Sequence, residues 1–147
     1  MKETVVIATP VYQQIMQLLG EKPKVEVVGL NFGTHENLTI LVRHFEPMKN
    51  LDNSAVSFSL DYEILFKEIQ SYEKKGEILI GIFHSHPEGA RLYPSQKDIH
   101  FMSYWPYPYL WLIGRGGTHP ELAIFTLFNK KITRVPFKVP GISDSII

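Results

Sequence analysis

The chain has 147 residues, enough for one domain that buries roughly two-thirds of the surface its unfolded form exposes. Fifteen basic residues balance fifteen acidic ones and no Lys/Arg cluster exceeds a pair, which excludes a dedicated nucleic-acid or anionic-membrane surface. There is no cysteine, so no disulfide or thiolate ligand exists, and a metal would have to be held by histidines and carboxylates.

The N-terminus, MKETVVIATP, has too short an apolar part for a signal peptide, and no run reaches the ~18 apolar residues of a membrane span. A soluble, cytoplasmic protein is expected. Glu3 to Ala8 reads as a short first strand. Thr9-Pro10 is a helix start, with Thr9 as N-cap and Pro10 at the first helical position. Val11, Ile15, Leu18 and Leu19 follow at helical spacing, and Gly20 ends the helix. Lys24 to Phe32 is rich in strand formers and carries Glu26, with Gly33 expected to open a turn. Leu38 to Glu46 is a second strand. Ser54 to Leu60 alternates Ala55/Ser57/Ser59 with Val56/Phe58/Leu60, which predicts a short strand with one apolar face.

Ser59 or Asp61 then caps a helix whose apolar face is Tyr62, Leu65, Phe66, Ile69 and Tyr72, and Lys74-Lys75-Gly76 ends it. Glu77 to Phe83 is apolar on both faces, as a central strand would be. Ser95 starts a short helix to about Ser103, which the Pro-containing run Tyr104 to Pro108 breaks. Tyr109 to Ile113 is a further strand. Glu121 to Phe128 and Lys131 to Lys138 read as an antiparallel pair joined at Asn129-Lys130. Residues 1–140 form a single domain in this reading, and 141–147 a loosely held C-terminal tail. Helices interspersed among about seven strands predict an α/β fold, a mixed β-sheet flanked by helices.

The chemistry concentrates in Gly81 to Asp98, GIFHSHPEGARLYPSQKD. Residues two apart on a strand point to one side, so His84 and His86 can aim two imidazoles at one point. Asp98 can add an anionic ligand. Two histidines and a carboxylate leave the fourth tetrahedral position of zinc open, as in catalytic sites. The same residues also have plain readings, as polar strand positions and as a helix start with Ser95 as N-cap. Capping and ligation are compatible, because a helix N-terminus fixes a ligand rigidly.

This stretch resembles the signature of the JAMM (MPN-plus) zinc metalloproteases, a Glu followed at a distance by His-Ser-His-Pro and then Ser-x-x-Asp. Glu26, in VEVVGLNFG, resembles the upstream Glu of the family. Pro87 to Pro94 puts eight residues between His86 and Ser95 where the family usually has seven, an insertion confined to the loop. The resemblance implies a cytidine-deaminase-like (JAB/MPN) α-β-α sandwich with one zinc ion at His84, His86 and Asp98. It implies Glu26 as the proton-transfer group, although by itself Glu26 also reads as a solvent-facing strand charge. Ser95 could donate to the oxyanion. The implied activity is that of a prokaryotic, deubiquitinase-like isopeptidase. It would cut between the C-terminal Gly of a ubiquitin-like β-grasp modifier and its target amine.

Trimming of a sulfur-carrier protein and a non-catalytic MPN scaffold are the alternatives. The scaffold normally lacks some ligands, and this chain keeps them all. A nucleoside deaminase would need two cysteines, and the chain has none. The partner is then a small modifier protein and its conjugates, not nucleic acid or membrane, with the oligomeric state left open. An extended tail is most simply held as an added strand on a sheet edge. Asn53 to Leu60 is the predicted edge, with Val56, Ser57 and Phe58 as substrate-binding residues.

Overall fold

The computed structural model describes residues 3–21, 23–55, 57–104 and 109–146. In chain order its elements are β1 (Thr4–Ile7), α1 (Thr9–Gly20), β2 (Val28–Glu36), β3 (Thr39–Met48), α2 (Tyr62–Glu73) and β4 (Ile78–His86). They continue with α3 (Gln96–Tyr104), β5 (Leu110–Arg115), β6 (Glu121–Phe128), β7 (Lys131–Val135), β8 (Phe137–Val139) and β9 (Ser143–Ile146). The strands form one mixed sheet in the order β7-β6-β5-β4-β2-β3-β1-β8-β9. The expected α/β class with a mixed sheet and flanking helices is therefore found.

β4 is central because its apolar run can fill both faces. Ile80 and Phe83 join the core beneath α1, with Ile15 and Leu19. Leu79 and Ile82 join the opposite core with Leu65 and Tyr72 of α2 and Met102 of α3. β4 runs antiparallel to β2 and parallel to β5. Its carboxyl end, next to that of a parallel neighbour, is where α/β sheets leave room for ligands. No described helix is long and apolar enough to cross a membrane.

Several local expectations are corrected. Thr9 is not the N-cap. Ala8 holds that place, and the Thr9 hydroxyl donates to the Pro140 carbonyl at 2.6 Å. Gly33 lies inside β2, where a Cβ would sit 1.8 Å from the Leu41 carbonyl oxygen. The turn comes at Asn37, which takes a φ of 54°. Asp61, not Ser59, caps α2, accepting from the backbone N–H groups of Glu63 and Ile64. Tyr62 and Phe66, expected on its apolar face, are exposed. The run Lys131 to Lys138 divides at Pro136, because Pro cannot donate to a ladder. β7 stays on β6, while β8 crosses to pair with β1 and takes β9 as its own antiparallel neighbour. The segment after Gly141 thus forms an edge strand where a loose tail was expected.

The predicted strand over Asn53 to Leu60 is absent among the described residues. Its backbone groups are engaged locally: Leu51 N–H bonds to the Ser59 carbonyl at 3.0 Å, and the Ser54 carbonyl accepts from Glu26 N–H. Its described residues form a folded loop, not a sheet edge.

Candidate metal centre

His84 and His86 close β4, and the two-residue spacing brings their rings to 5.2 Å between centroids. Asp98 comes from the first turn of α3. The helix start is a reciprocal cap. Asp98 N–H donates to Ser95 Oγ at 3.1 Å while Ser95 N–H donates to Asp98 Oδ2 at 2.8 Å. That cap fixes the carboxylate against the strand end. Asp98 Oδ2 lies 2.9 Å from His86 Nε2 and 3.0 Å from His84 Nε2. One candidate ligand atom from each residue falls within 4.8 Å of the others.

His86 is oriented by its other nitrogen, Nδ1, 2.8 Å from the Arg91 carbonyl. The longer loop after His86 supplies that carbonyl, and Arg115 Nη1 pins the loop by donating to the Ala90 carbonyl at 2.9 Å. His84 is 1% exposed, yet neither ring nitrogen makes a hydrogen bond among the described residues, although Nε2 lies 3.0 Å from Asp98 Oδ2. Buried polar atoms are ordinarily satisfied. An orphaned imidazole facing a second imidazole and a carboxylate fits a cation of the kind that His and Asp ligate.

Glu26 lies two residues before β2 and is 3% exposed. The surface-charge reading is thereby removed. Its Oε1 also lacks a hydrogen-bond partner and sits 3.8 Å from His84 Nε2. Burial, and then the charge of Asp98, push the Glu26 carboxyl up from 4.5 to about 8. Asp98 behaves oppositely. Burial resists its ionisation, but His84, His86 and the Ser95 N–H hold it far below the usual carboxylate range. For His86, burial pulls downward, and the Asp98 carboxylate with the Arg91 carbonyl outweighs it, so its pKa is raised.

Five predicted residues, Glu26, His84, His86, Ser95 and Asp98, thus converge. Ser57 and Phe58 lie alongside them. They line a cleft of about 360 Å³ with Asp52, Lys97, Asp98 and Tyr104. The Phe58 ring centroid is 4.9 Å from that of His84. Val56 lies outside the described residues. A second cleft, of about 350 Å³, opens beside Glu26, His86, Arg91, Tyr93 and Ser95. Two further histidines stand apart, His35 pairing with Glu3 and His44 Nδ1 sitting 2.7 Å from Glu77, whereas His100 packs on Tyr104 and lines the first cleft with Asp98.

Two residues at the site went unnoticed in the sequence. Ser85 Oγ accepts from Val27 N–H at 2.7 Å, and Ser85 N–H donates to the Val27 carbonyl at 2.8 Å, tying the Glu26 segment to β4. Its place between the histidines was a usable signal. Asn50 gave none beyond membership of a polar loop.

The family model described as prokaryotic homologs of the JAB domain matches residues 8–127. The chain is 34% identical over 110 residues to a protein named Desampylase from Pyrococcus furiosus, covering 75% of this chain and 73% of that one. It is 38% identical over 106 residues to a protein named Probable TtuB-protein conjugate cleaving protease from Thermus thermophilus, covering 71% and 66%. A solution structure from Desulfitobacterium hafniense shares the fold, with a TM-score of 0.78, 22% identity and 92% of each chain covered.

Proposed function

The chain belongs to the prokaryotic homologs of the JAB domain, and on that premise we propose that it is a zinc metallo-isopeptidase. It hydrolyses the bond between the C-terminal Gly of a small ubiquitin-like modifier and its target amine. The observation that carries the reading is the convergence of His84, His86 and Asp98 within 4.8 Å, with Glu26 buried beside them. The relatives named Desampylase and Probable TtuB-protein conjugate cleaving protease support the substrate class. In this reading the fold is a cytidine-deaminase-like α-β-α sandwich, with α1 on one face and α2 and α3 on the other. Residues 1–140 are the catalytic domain, and the protein works in the cytoplasm.

His84, His86 and Asp98 would hold the zinc. When bound there, it supplies a Lewis acid and brings the pKa of water at its open position toward ~7. Glu26 takes the proton of the attacking water and passes it to the leaving amine as the C–N bond breaks. Its burial beside the ligand cluster places one carboxylate within reach of both transfers. Ser95 Oγ accepts from Asp98 N–H, which leaves the hydroxyl hydrogen to donate to the developing oxyanion. Ser57 and Phe58 form one wall of the track along which the extended Gly-Gly tail lies. Glycines suit it because a Cβ would crowd a narrow passage.

The Ser95 role is separable from its cap. An oxyanion donor carries about 2.7–4 kcal/mol of transition-state stabilisation, whereas an N-cap is worth ~1 kcal/mol of stability. Ser95→Ala is therefore expected to lower kcat by roughly 10²–10³-fold with a small fall in Tm. A large fall in Tm with kcat intact would leave Ser95 as a cap alone. The substrate class is tested by comparing two β-grasp substrates, one joined through its terminal Gly to a lysine and one carrying a peptide extension. Faster cleavage of the lysine conjugate supports the isopeptidase; faster trimming of the extension makes the protein a carrier-processing protease instead.

A further inference from the structure

We propose that Asn50 is a positioning residue for this reaction, holding Glu26 and the 51–59 loop together as one unit. The inference rests on the reading of Glu26 as the proton-transfer group. Asn50 is 9% exposed, and among the described residues its carboxamide touches five backbone groups. Nδ2 donates to the carbonyls of Ser57 at 2.9 Å, Glu26 at 3.0 Å and, more weakly, Ser54 at 3.3 Å. Oδ1 accepts from the N–H groups of Asp52 at 3.0 Å and Ser59 at 3.2 Å. The partners fix which way the amide faces. A flipped amide would set its oxygen against three carbonyls and its NH₂ against two N–H groups. Only an amide offers donors and acceptors to both sets at once.

What this hub holds gives it a catalytic bearing. Glu26 precedes β2 by two residues, so no strand ladder fixes its peptide. Its N–H instead donates to the Ser54 carbonyl and its carbonyl accepts from Asn50, so both backbone groups are held by the loop module. Val27, next along, is clamped to Ser85 between the two histidines. The loop that Asn50 gathers also carries Ser57 and Phe58, the cleft wall beside Asp98. A misplacement of about 1 Å in a reacting group can cost roughly 10²-fold in rate. Asn50 therefore sets the distance between the proton-transfer carboxylate, the ligand cluster and the substrate wall without touching substrate.

The test is a double-mutant cycle with metal-loaded, full-length protein on a lysine-linked modifier conjugate, following kcat, KM and bound zinc. Asn50→Ala is expected to lower kcat by roughly 10–10²-fold and raise KM, with zinc stoichiometry unchanged. In a Glu26→Gln background the same substitution is expected to lower kcat by less than about threefold, because the group it positions is already disabled. An equal fold-loss in both backgrounds overturns the proposal, as does an unaltered kcat in Asn50→Ala. Should Asn50→Ala not fold, Asn50→Asp repeats the cycle. It keeps the acceptor for Asp52 and Ser59, and so the loop, but loses the donors to Glu26 and Ser57. Full turnover in Glu26→Gln alone would mark the failure of the Glu26 reading, a result distinct from equal losses across the cycle.

Discussion

Asp98→Asn yields a folded protein without stoichiometric metal and with turnover reduced by roughly 10³-fold or more, the loss expected when a Lewis acid worth several kcal/mol is removed. The substitution is chosen because Asn keeps the shape and can still accept from Ser95 N–H, so the start of α3 survives. What disappears is the charge that draws both imidazoles to one oxygen at 2.9 and 3.0 Å. His84→Ala and His86→Ala should behave alike in metal content and activity. His84→Ala is also expected to lower stability, since it opens space in a fully packed position 1% exposed. Elemental analysis of the purified variants beside a cleavage assay reads the result. Full metal occupancy in Asp98→Asn would assign the third ligand elsewhere.

Glu26→Gln keeps the metal and lowers turnover by roughly 10²-fold or more, the usual share of general acid–base catalysis. Gln has the size of Glu and fits the same buried pocket, but it can neither accept a proton from water nor pass one to an amine. Geometry separates this residue from the ligands, because the donor atoms that all lie within 4.8 Å of one another are those of His84, His86 and Asp98, without Glu26. Metal loss in Glu26→Gln would make Glu26 a ligand, and unchanged turnover would leave it without a catalytic part.

What could be read from the sequence was governed by short-range rules. The two-residue period of a strand put His84 and His86 together, and the Ser95-x-x-Asp98 cap delivered the carboxylate one loop later. The apolar run before His84 marked a central strand, because only a strand covered on both faces tolerates it. Long-range pairing was not legible. Nothing local to Lys131–Lys138 says that β8 leaves β7 to join β1, nor that residues after Gly141 pair with β8. Over Ser54 to Leu60 the alternation of Ser with apolar residues matched a strand. The decisive partner was a side chain, Asn50, whose amide takes up the backbone groups that a ladder would have used. Glu26 was legible as a residue of interest through resemblance, but nothing local to it says that its backbone is held by that same loop.

The most direct test of the account uses a small β-grasp modifier joined through its terminal Gly to the ε-amine of a lysine on a second protein. The purified chain is assayed as isolated, after chelation, and after reloading with zinc, while free modifier and bound metal are measured together. The account predicts release of intact modifier, abolished by chelation and restored as zinc approaches one ion per chain. Release that persists in the metal-free protein, or no release from the fully loaded one, would contradict it.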